Sequence, residues 1–298
     1  MLALFIVTRN EGELLRLNLD HHLRSGFDHV LIADNESTDG TRDVIASFGS
    51  AVTSMTVVRP NDRYEALGLL ARRIESRLAH DSWIAFSDTD EFWWAPKPSL
   101  RALLDRVSPE IALVNSPAKH YVPTEIDAAT GPVYTRMRHR ATEPDAPPYA
   151  GYTNGKSLYR AAWVLEHRVT DAHWCPEVPH PRRRQTSAPI VHHYPIDGAE
   201  DFVKTVTSLD RWGMVLEPTA SGQPQAANDR LGETKKLWWR IYREGGEAAL
   251  REYYRSTYVV PSSGLPARID AGRIVRDDAF ADWCALRSAR APIALHGT

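Results

Sequence analysis

Cysteine is nearly absent from the chain: Cys175 and Cys284 are the two among 298 residues. That is too few for a disulfide framework, and their spacing matches no zinc site, so a reducing compartment, the cytoplasm, is expected. Basic charge is not in excess either. Lys and Arg number 36 against 38 Asp and Glu, a formal net charge of -2, and Arg182-Arg183-Arg184, the only dense run, reads as a solvated loop. This removes the electrostatic case for binding nucleic acid. Apolar runs are short. Leu2 to Val7 cannot span a bilayer and has neither a charged flank nor a cleavage site, so it reads as a buried first strand. With no transmembrane segment, a partner at the membrane would be met peripherally, at its inner face. No G-x-x-x-x-G-K-[ST] loop is present, which excludes a P-loop kinase.

What remains is the composition of an ordinary globular protein, 43% hydrophobic and 25% charged, able to bury a sizeable core. Leu2 to Thr8 is an unbroken apolar run, as in a parallel strand covered on both faces. A helix follows, with Leu14, Leu15, Leu17, Leu19 and Leu23 at mostly helical spacing, ending at Ser25-Gly26. Val30 to Ala33 is a second strand, and Asp34 to Gly40 is its C-terminal turn, in which Asp39 or Ser37 can cap the next helix. Val52 to Val58 and Trp83 to Phe86 are further strands, flanking a helix over Tyr64 to Leu78. This alternation predicts an α/β fold with a mostly parallel sheet and ligands beyond the carboxyl ends of its strands. The stretch from Ala141 to Thr153, rich in proline and small residues, reads as an active-site loop. Beyond Tyr194 the pattern turns to amphipathic helix, clearest over Phe202 to Trp212 and Glu233 to Tyr242, with a connection around Ser221 to Pro224.

The strongest chemical signal is Ser87-Asp88-Thr89-Asp90-Glu91-Phe92-Trp93, three carboxylates directly after an apolar strand. Such oxygen ligands suit Mg²⁺ or Mn²⁺, which neutralises a diphosphate leaving group. Alone, D-x-D is weakly specific. Its weight comes from two more polar strand ends at the same predicted edge, Thr8-Arg9-Asn10-Glu11 and Asp34 to Asp39. An acidic group at the second strand end can accept from a ribose hydroxyl or a base N–H, while helix capping accounts for either Asp34 or Asp39. Lys156 is a candidate for neutralising phosphate oxygens. Trp93 and Trp94 follow the acidic turn, where a ring can stack on an acceptor sugar, whereas Trp238 and Trp239 read as core.

Three motifs, Thr8-Arg9-Asn10-Glu11, Asp34-Asn35-x-Ser37-x-Asp39-Gly40-Thr41 and Trp83-Ile84-x-x-x-Asp88-x-Asp90-Glu91-Phe92, resemble glycosyltransferase family 2 and the related family 92 (DUF23-like) group. The likeness continues in order through Gly155 to Arg160, His173, Val191-His192-His193-Tyr194 and Glu200-x-Phe202-x-Lys204, covering about residues 1 to 210. The resemblance implies a GT-A (Rossmann-like) three-layer domain over 1–210, with residues 211–298 as a C-terminal helical extension packed on it. It also implies a nucleoside-diphosphate sugar donor, usually a UDP-sugar, and inversion at the anomeric centre. By the same analogy Asp90 ligates the metal, Asp88 lies on the ribose side of its water shell, and Asp34 faces the nucleoside with Thr8, Asn10 and Glu11 beside it. His193, and after it His173, would complete the metal shell. The acceptor is left open among carbohydrates, lipid-linked molecules and small molecules.

An attacking hydroxyl needs a base within hydrogen-bond reach. Glu143, Asp145, Asp171 and Glu177 fall in suitable places, yet none belongs to the Glu-Asp pair typical of many family 2 enzymes. The alternatives are a catalytically silent nucleotide- or sugar-binding module and a nucleotidyltransferase on a similar scaffold, although the Gly-rich diphosphate loop of the latter is missing.

Overall fold

The computed structural model describes residues 1–58, 63–95, 97–142, 155–173, 175–208 and 229–288. Glu143, Asp145, most of the proline-rich loop and the connection around Ser221 to Pro224 lie outside the described residues. Two compact units are present: Met1–Lys119 with Asn154–His193 and Asp282–Thr298, and His120–Thr153 with Tyr194–Ala281.

The first unit is built on a seven-stranded sheet. Its strands are β1 (Leu2–Thr8), β2 (His29–Asp34), β3 (Val52–Thr56), β4 (Trp83–Asp88), β6 (Leu113–Ser116), β9 (Lys156–Arg160) and β10 (Arg183–Gln185), in the order β10-β6-β9-β4-β1-β2-β3. Adjacent pairs are parallel except those involving β9, which runs antiparallel to β4 and β6. The four strands predicted from apolar runs are therefore present, and the expectation of a mostly parallel α/β sheet holds.

Successive residues of these strands feed opposite faces, as the two-residue repeat requires. Ala3, Phe5, Leu31, Ala33, Ile84 and Phe86 pack against α3 (Arg63–Arg73) and α6 (Ala161–Glu166). Leu4, Ile6, Val30, Ile32 and Ala85 pack against α1 (Gly12–Arg24), α2 (Thr41–Ser47) and α4 (Leu100–Leu104). Burial on both faces is why β1 and β2 read as continuous apolar runs. A smaller sheet in the order β5-β11-β7 comprises β5 (Glu91–Trp94), β11 (Ile190–His193) and β7 (Ala118–His120).

The second unit holds α5 (Val133–Arg136), the antiparallel pair β8 (His139–Ala141) and β12 (Ile274–Arg276), α7 (Ala199–Thr207), α8 (Asp229–Thr257) and α9 (Leu265–Asp270). The last helix among the described residues, α10, spans Ala279–Ser288. Phe202, Val203 and Val206 of α7 pack on Trp238, Leu250 and Tyr254 of α8, so Trp238 is a core residue, as expected. Gly246, at φ 67°, breaks α8 into two segments, a conformation that glycine adopts without a Cβ penalty. Among the described residues, no helix is long and apolar enough to cross a membrane.

His21 of α1 gives the fold an acid-sensitive point. Burial pushes its pKa down to about 4 from 6.5, outweighing the hydrogen bond to the Trp93 carbonyl. The native state therefore binds fewer protons than the unfolded chain over that interval. The stabilisation is complete above pH 6.5 and is lost as pH falls towards 4, at a cost of about 2 kcal/mol by pH 5. Thermal melts should show stability falling between pH 7 and pH 5, and His21→Gln should make that dependence shallower.

Candidate active site

The register brings the predicted strand ends together. Thr8 pairs with Asp34, and Val7 with Asp88, so β1, β2 and β4 end at one edge. The turns there are tightly bonded. Thr8 Oγ1 donates to Glu11 Oε2 (3.1 Å), Asn10 N–H to Ser37 Oγ (2.9 Å), Thr38 N–H to Asn10 Oδ1 (2.7 Å) and Glu11 N–H to Thr41 Oγ1 (3.0 Å). Asn10 and Glu36 both sit at φ 53°. Left-handed backbone is tolerated by asparagine but is strained for glutamate, and such strain gathers at functional turns.

Of the three acidic residues in the second turn, Asp34 and Asp39 divide the roles foreseen for them. Asp39 Oδ1 accepts (2.9 Å) from the N–H of Thr41, the first residue of α2, so of the two it is Asp39 that supports the helix start, from just before Gly40 at the N-cap position. Asp34 is buried, and its two oxygens accept from Ser37 N–H (3.1 Å) and Arg42 Nε (2.9 Å). It presents Arg42 outward in place of an open carboxylate.

At the acidic turn the three carboxylates have different environments. Lys156, at the start of β9, is buried, and its Nζ lies 2.5 Å from Asp88 Oδ2 and 3.1 Å from Glu91 Oε2. Glu91 also accepts from Asp88 N–H (2.8 Å). The ammonium is thus taken up by carboxylates and is not presented to a phosphate as the sequence suggested. Burial pushes the Glu91 pKa up to about 7 despite Lys156, helped by Asp88 and Asp90. Burial would raise Asp88 as well, but Lys156 holds it well below the usual carboxylate range. The same two carboxylates overcome burial to push Lys156 upward. The Asp88 side chain remains half exposed at the rim.

Asp90 is the carboxylate left available. Its Oδ2 lies 3.3 Å from His193 Nε2, and its Oδ1 is buried with no hydrogen-bond partner. Pairing of β5 with β11 places His193 opposite Glu91. Ligand atoms of Asp90, Glu91 and His193 all lie within 4.8 Å of one another. Burial alone would lower the His193 pKa, but Asp90 beside it raises the net value. Asp88 and Glu91 share the Lys156 ammonium while Asp90 faces His193, and an unsatisfied buried carboxylate oxygen is costly unless something binds it. The donor set, one imidazole with carboxylates, fits Mn²⁺ or Mg²⁺.

The other sequence candidates stand further from this cluster in their bonding. His173 Nδ1 is bonded to the Gly155 carbonyl (2.8 Å), and its N–H donates to Asp171 Oδ1 (2.6 Å). Burial and then Lys156 lower its pKa, so the ring shares the electrostatic field of the site. Glu177 is exposed and accepts from Thr170 Oγ1 (2.6 Å) and Cys175 Sγ (2.9 Å). Trp93 corrects an expectation. It is 1% exposed, with Nε1 donating to the Phe86 carbonyl (2.9 Å), so its ring is core and is not offered to a sugar. Trp94 is half-buried, edge-on to His192 at 5.2 Å between ring centroids.

Gly155 sets the entry of Lys156 into the site. A Cβ there would lie 1.6 Å from the Ser116 carbonyl oxygen and 2.6 Å from its carbon. Neither backbone atom can rotate away, so Gly155→Ala must displace β9 from β6. The expected cost is about 3 kcal/mol, read in a denaturant titration, together with a loss of activity from displacement of Lys156.

Two residue types escaped the sequence reading. Asn18 and His22 are fully buried against the acidic turn, and their signal was available: polar residues at positions 18 and 22 share the helical face of Leu15 and Leu19.

Among solved structures, the chain is similar to S. aureus TarS, with 10% identity, 80% of this chain and 43% of that chain covered, and a TM-score of 0.40. The mannosyltransferase PcManGT from Pyrobaculum calidifontis, in complex with GDP-Man and Mn²⁺, shows 15% identity over 91% of this chain and 79% of that one, at a TM-score of 0.42. Glucosyl-3-phosphoglycerate synthase from Mycobacterium tuberculosis, with Mn²⁺, UDP and glucosyl-3-phosphoglycerate, shows 18% identity over 76% and 84%, at 0.39. The chain thus spans less than half the length of the TarS chain named first. No curated protein matches it. The model of glycosyl transferase family 2 matches residues 3–164, more than half of the sequence, and the chain belongs to that family of glycosyltransferases.

Proposed function

We propose that the chain transfers a sugar from a nucleoside-diphosphate sugar, first of all a UDP-sugar, to an acceptor hydroxyl with inversion, using Mn²⁺ or Mg²⁺ held by Asp90 and His193. The observation that carries this reading is the buried, unpartnered Oδ1 of Asp90 beside His193, at the carboxyl edge of the sheet. When bound, the cation supplies positive charge to a departing diphosphate.

The chain's own residues do the rest. Lys156 and the Asp88 N–H to Glu91 bond fix Asp88, leaving its half-exposed carboxylate to accept from a ribose hydroxyl. Thr8, Asn10 and Glu11 shape the floor under the nucleoside, with Asp34 acting through Arg42. For the base that takes the proton of the attacking hydroxyl we favour Asp171 over Glu177. Asp171 Oδ1 accepts from the backbone N–H of His173, one of the site candidates, whereas Glu177 is exposed and engaged by Thr170 and Cys175. Trp94 is the ring we assign to the acceptor side. Cytoplasmic residence, with any lipid-linked acceptor met at the membrane face, belongs to the same proposal and is supported by a cysteine content of two, too few for a disulfide framework.

The test is direct. Purified protein with Mn²⁺ and a panel of UDP- and GDP-sugars should slowly release nucleoside diphosphate from one donor, and EDTA should stop the release. A chain that binds nucleotide sugar but neither hydrolyses nor transfers it is the silent binding module.

A further inference from the structure

We infer that Asn18, His21 and His22 of α1 form a side-chain latch that sets the position of the metal-binding turn, a positioning role that rests on the reading of Asp90 and His193 as metal ligands. The three residues stand at i, i+3 and i+4, on one helical face. Asn18 and His22 are fully buried and His21 is 6% exposed. Every hydrogen bond given below is made to the segment from Thr89 to Trp93 or within the latch itself.

Asn18 uses both amide hydrogens on the turn. Its Nδ2 donates to the carbonyls of Thr89 (2.9 Å) and Glu91 (2.8 Å), the residues on either side of Asp90. Ser87 Oγ donates to the same Glu91 carbonyl (2.9 Å). Asn18 is itself held by His22, whose Nδ1 lies 2.8 Å from Asn18 Oδ1 and 2.9 Å from Asn18 O. On its other side His22 Nε2 accepts from Trp93 N–H (3.0 Å). A backbone N–H can only donate, so Nε2 carries the lone pair and Nδ1 the hydrogen, which fixes the tautomer. Burial drives the pKa of His22 well below its ordinary value and keeps that neutral form. His21 Nε2 lies 2.8 Å from the Trp93 carbonyl, which can only accept, so His21 donates there.

The bonded backbone groups belong to Thr89, Glu91 and Trp93, a period of two. Glu91 and Trp93 so alternate along one edge of β5, and Thr89 carries the same period back into the turn before it. In the order β5-β11-β7, β5 is an edge strand with β11 on its other side. Side chains of α1 therefore take the place of a missing neighbouring strand. Leucine at position 18 would remove the Asn18 donor from the Thr89 carbonyl and leave the Glu91 carbonyl with Ser87 Oγ. The latch fixes the peptides on both sides of Asp90, while β11, paired to the same β5, carries His193. Both ligands are thereby referred to one rigid segment, which is how outer hydrogen bonds tune metal affinity.

The experiment compares the full chain with Asn18→Asp, His22→Gln and His22→Leu. It uses calorimetric titration of Mn²⁺ alone, hydrogen exchange over residues 88–93 and thermal melts. Asn18→Asp keeps shape but replaces the donor facing two carbonyls with an acceptor. It should weaken Mn²⁺ binding by about tenfold or more and speed exchange at the turn. His22→Gln keeps an acceptor for Trp93 N–H, and His22→Leu keeps none. The latch requires Mn²⁺ affinity to fall in the order wild type, Gln, Leu. Simple packing predicts that leucine does at least as well as glutamine. Folded variants that bind Mn²⁺ as tightly as wild type, or leucine matching glutamine, overturn the latch and leave the metal site standing. A wild-type chain that binds no Mn²⁺ overturns the metal site, and the latch's role with it.

Discussion

Asp90→Asn should lower kcat/KM for donor turnover by about 10³-fold, the scale of removing a preorganised charge contact from a reacting oxyanion, while leaving the folding midpoint nearly unchanged. The two halves of this expectation have one cause. Among the described residues Asp90 Oδ1 is buried without a hydrogen-bond partner, and Oδ2 lies 3.3 Å from His193 Nε2. Removing the charge breaks no network that holds the chain together, so stability should move by less than about 1 kcal/mol. What is lost is the anionic ligand and the negative charge that favours a cation beside His193. Calorimetry with Mn²⁺ should show weakened binding in parallel with the kinetic loss. Asp90→Asn retaining activity within tenfold of wild type would remove Asp90 from the metal site, and with it the observation on which the proposed function stands.

Much of this site was legible in the chain because parallel strands buried on both faces write themselves as apolar runs that stop abruptly at polar residues. Thr8, Asp34 and Asp88 mark such stops, and the register confirms that they share an edge. What was hidden depends on pairing partners far apart in sequence. Lys156 looks from its sequence like a phosphate ligand. Only the antiparallel course of β9 between β4 and β6 points it at Asp88 and Glu91. Nor does a buried apolar strand announce its direction. Likewise Phe92 and Trp93 read as an aromatic continuation of the acidic turn, whereas they form an edge strand, so that Trp93 becomes core and Trp94 stays near the surface. His193 was placed by resemblance alone. Its geometric reason is the pairing of β11 with β5.

Lys156→Met carries the largest expected effect on stability, together with a loss of activity. Methionine fills a similar volume, so packing loss is minor and the consequence is electrostatic. Glu91, 3% exposed at its side chain, and Asp88 beside it would face each other without a cation. Breaking a buried ion pair from one side costs about 3–5 kcal/mol, and here that cost includes driving a proton onto Glu91, whose pKa already stands at about 7 with Lys156 in place. The melting temperature should fall on the order of 10 °C. Activity should fall by about 10²-fold through loss of the bond that holds Asp88, the scale seen for outer-shell partners of metal sites. The double variant Lys156→Met/Glu91→Gln separates the two effects. Glutamine can still accept from Asp88 N–H but carries no charge into the core, so much of the lost stability should return. Asp88 would still lack its anchor, so activity should stay low. Stability and activity recovering together would mean that Lys156 serves only to neutralise Glu91. Lys156→Arg should not rescue either property, since a planar guanidinium is larger than the buried space that a single ammonium now fills.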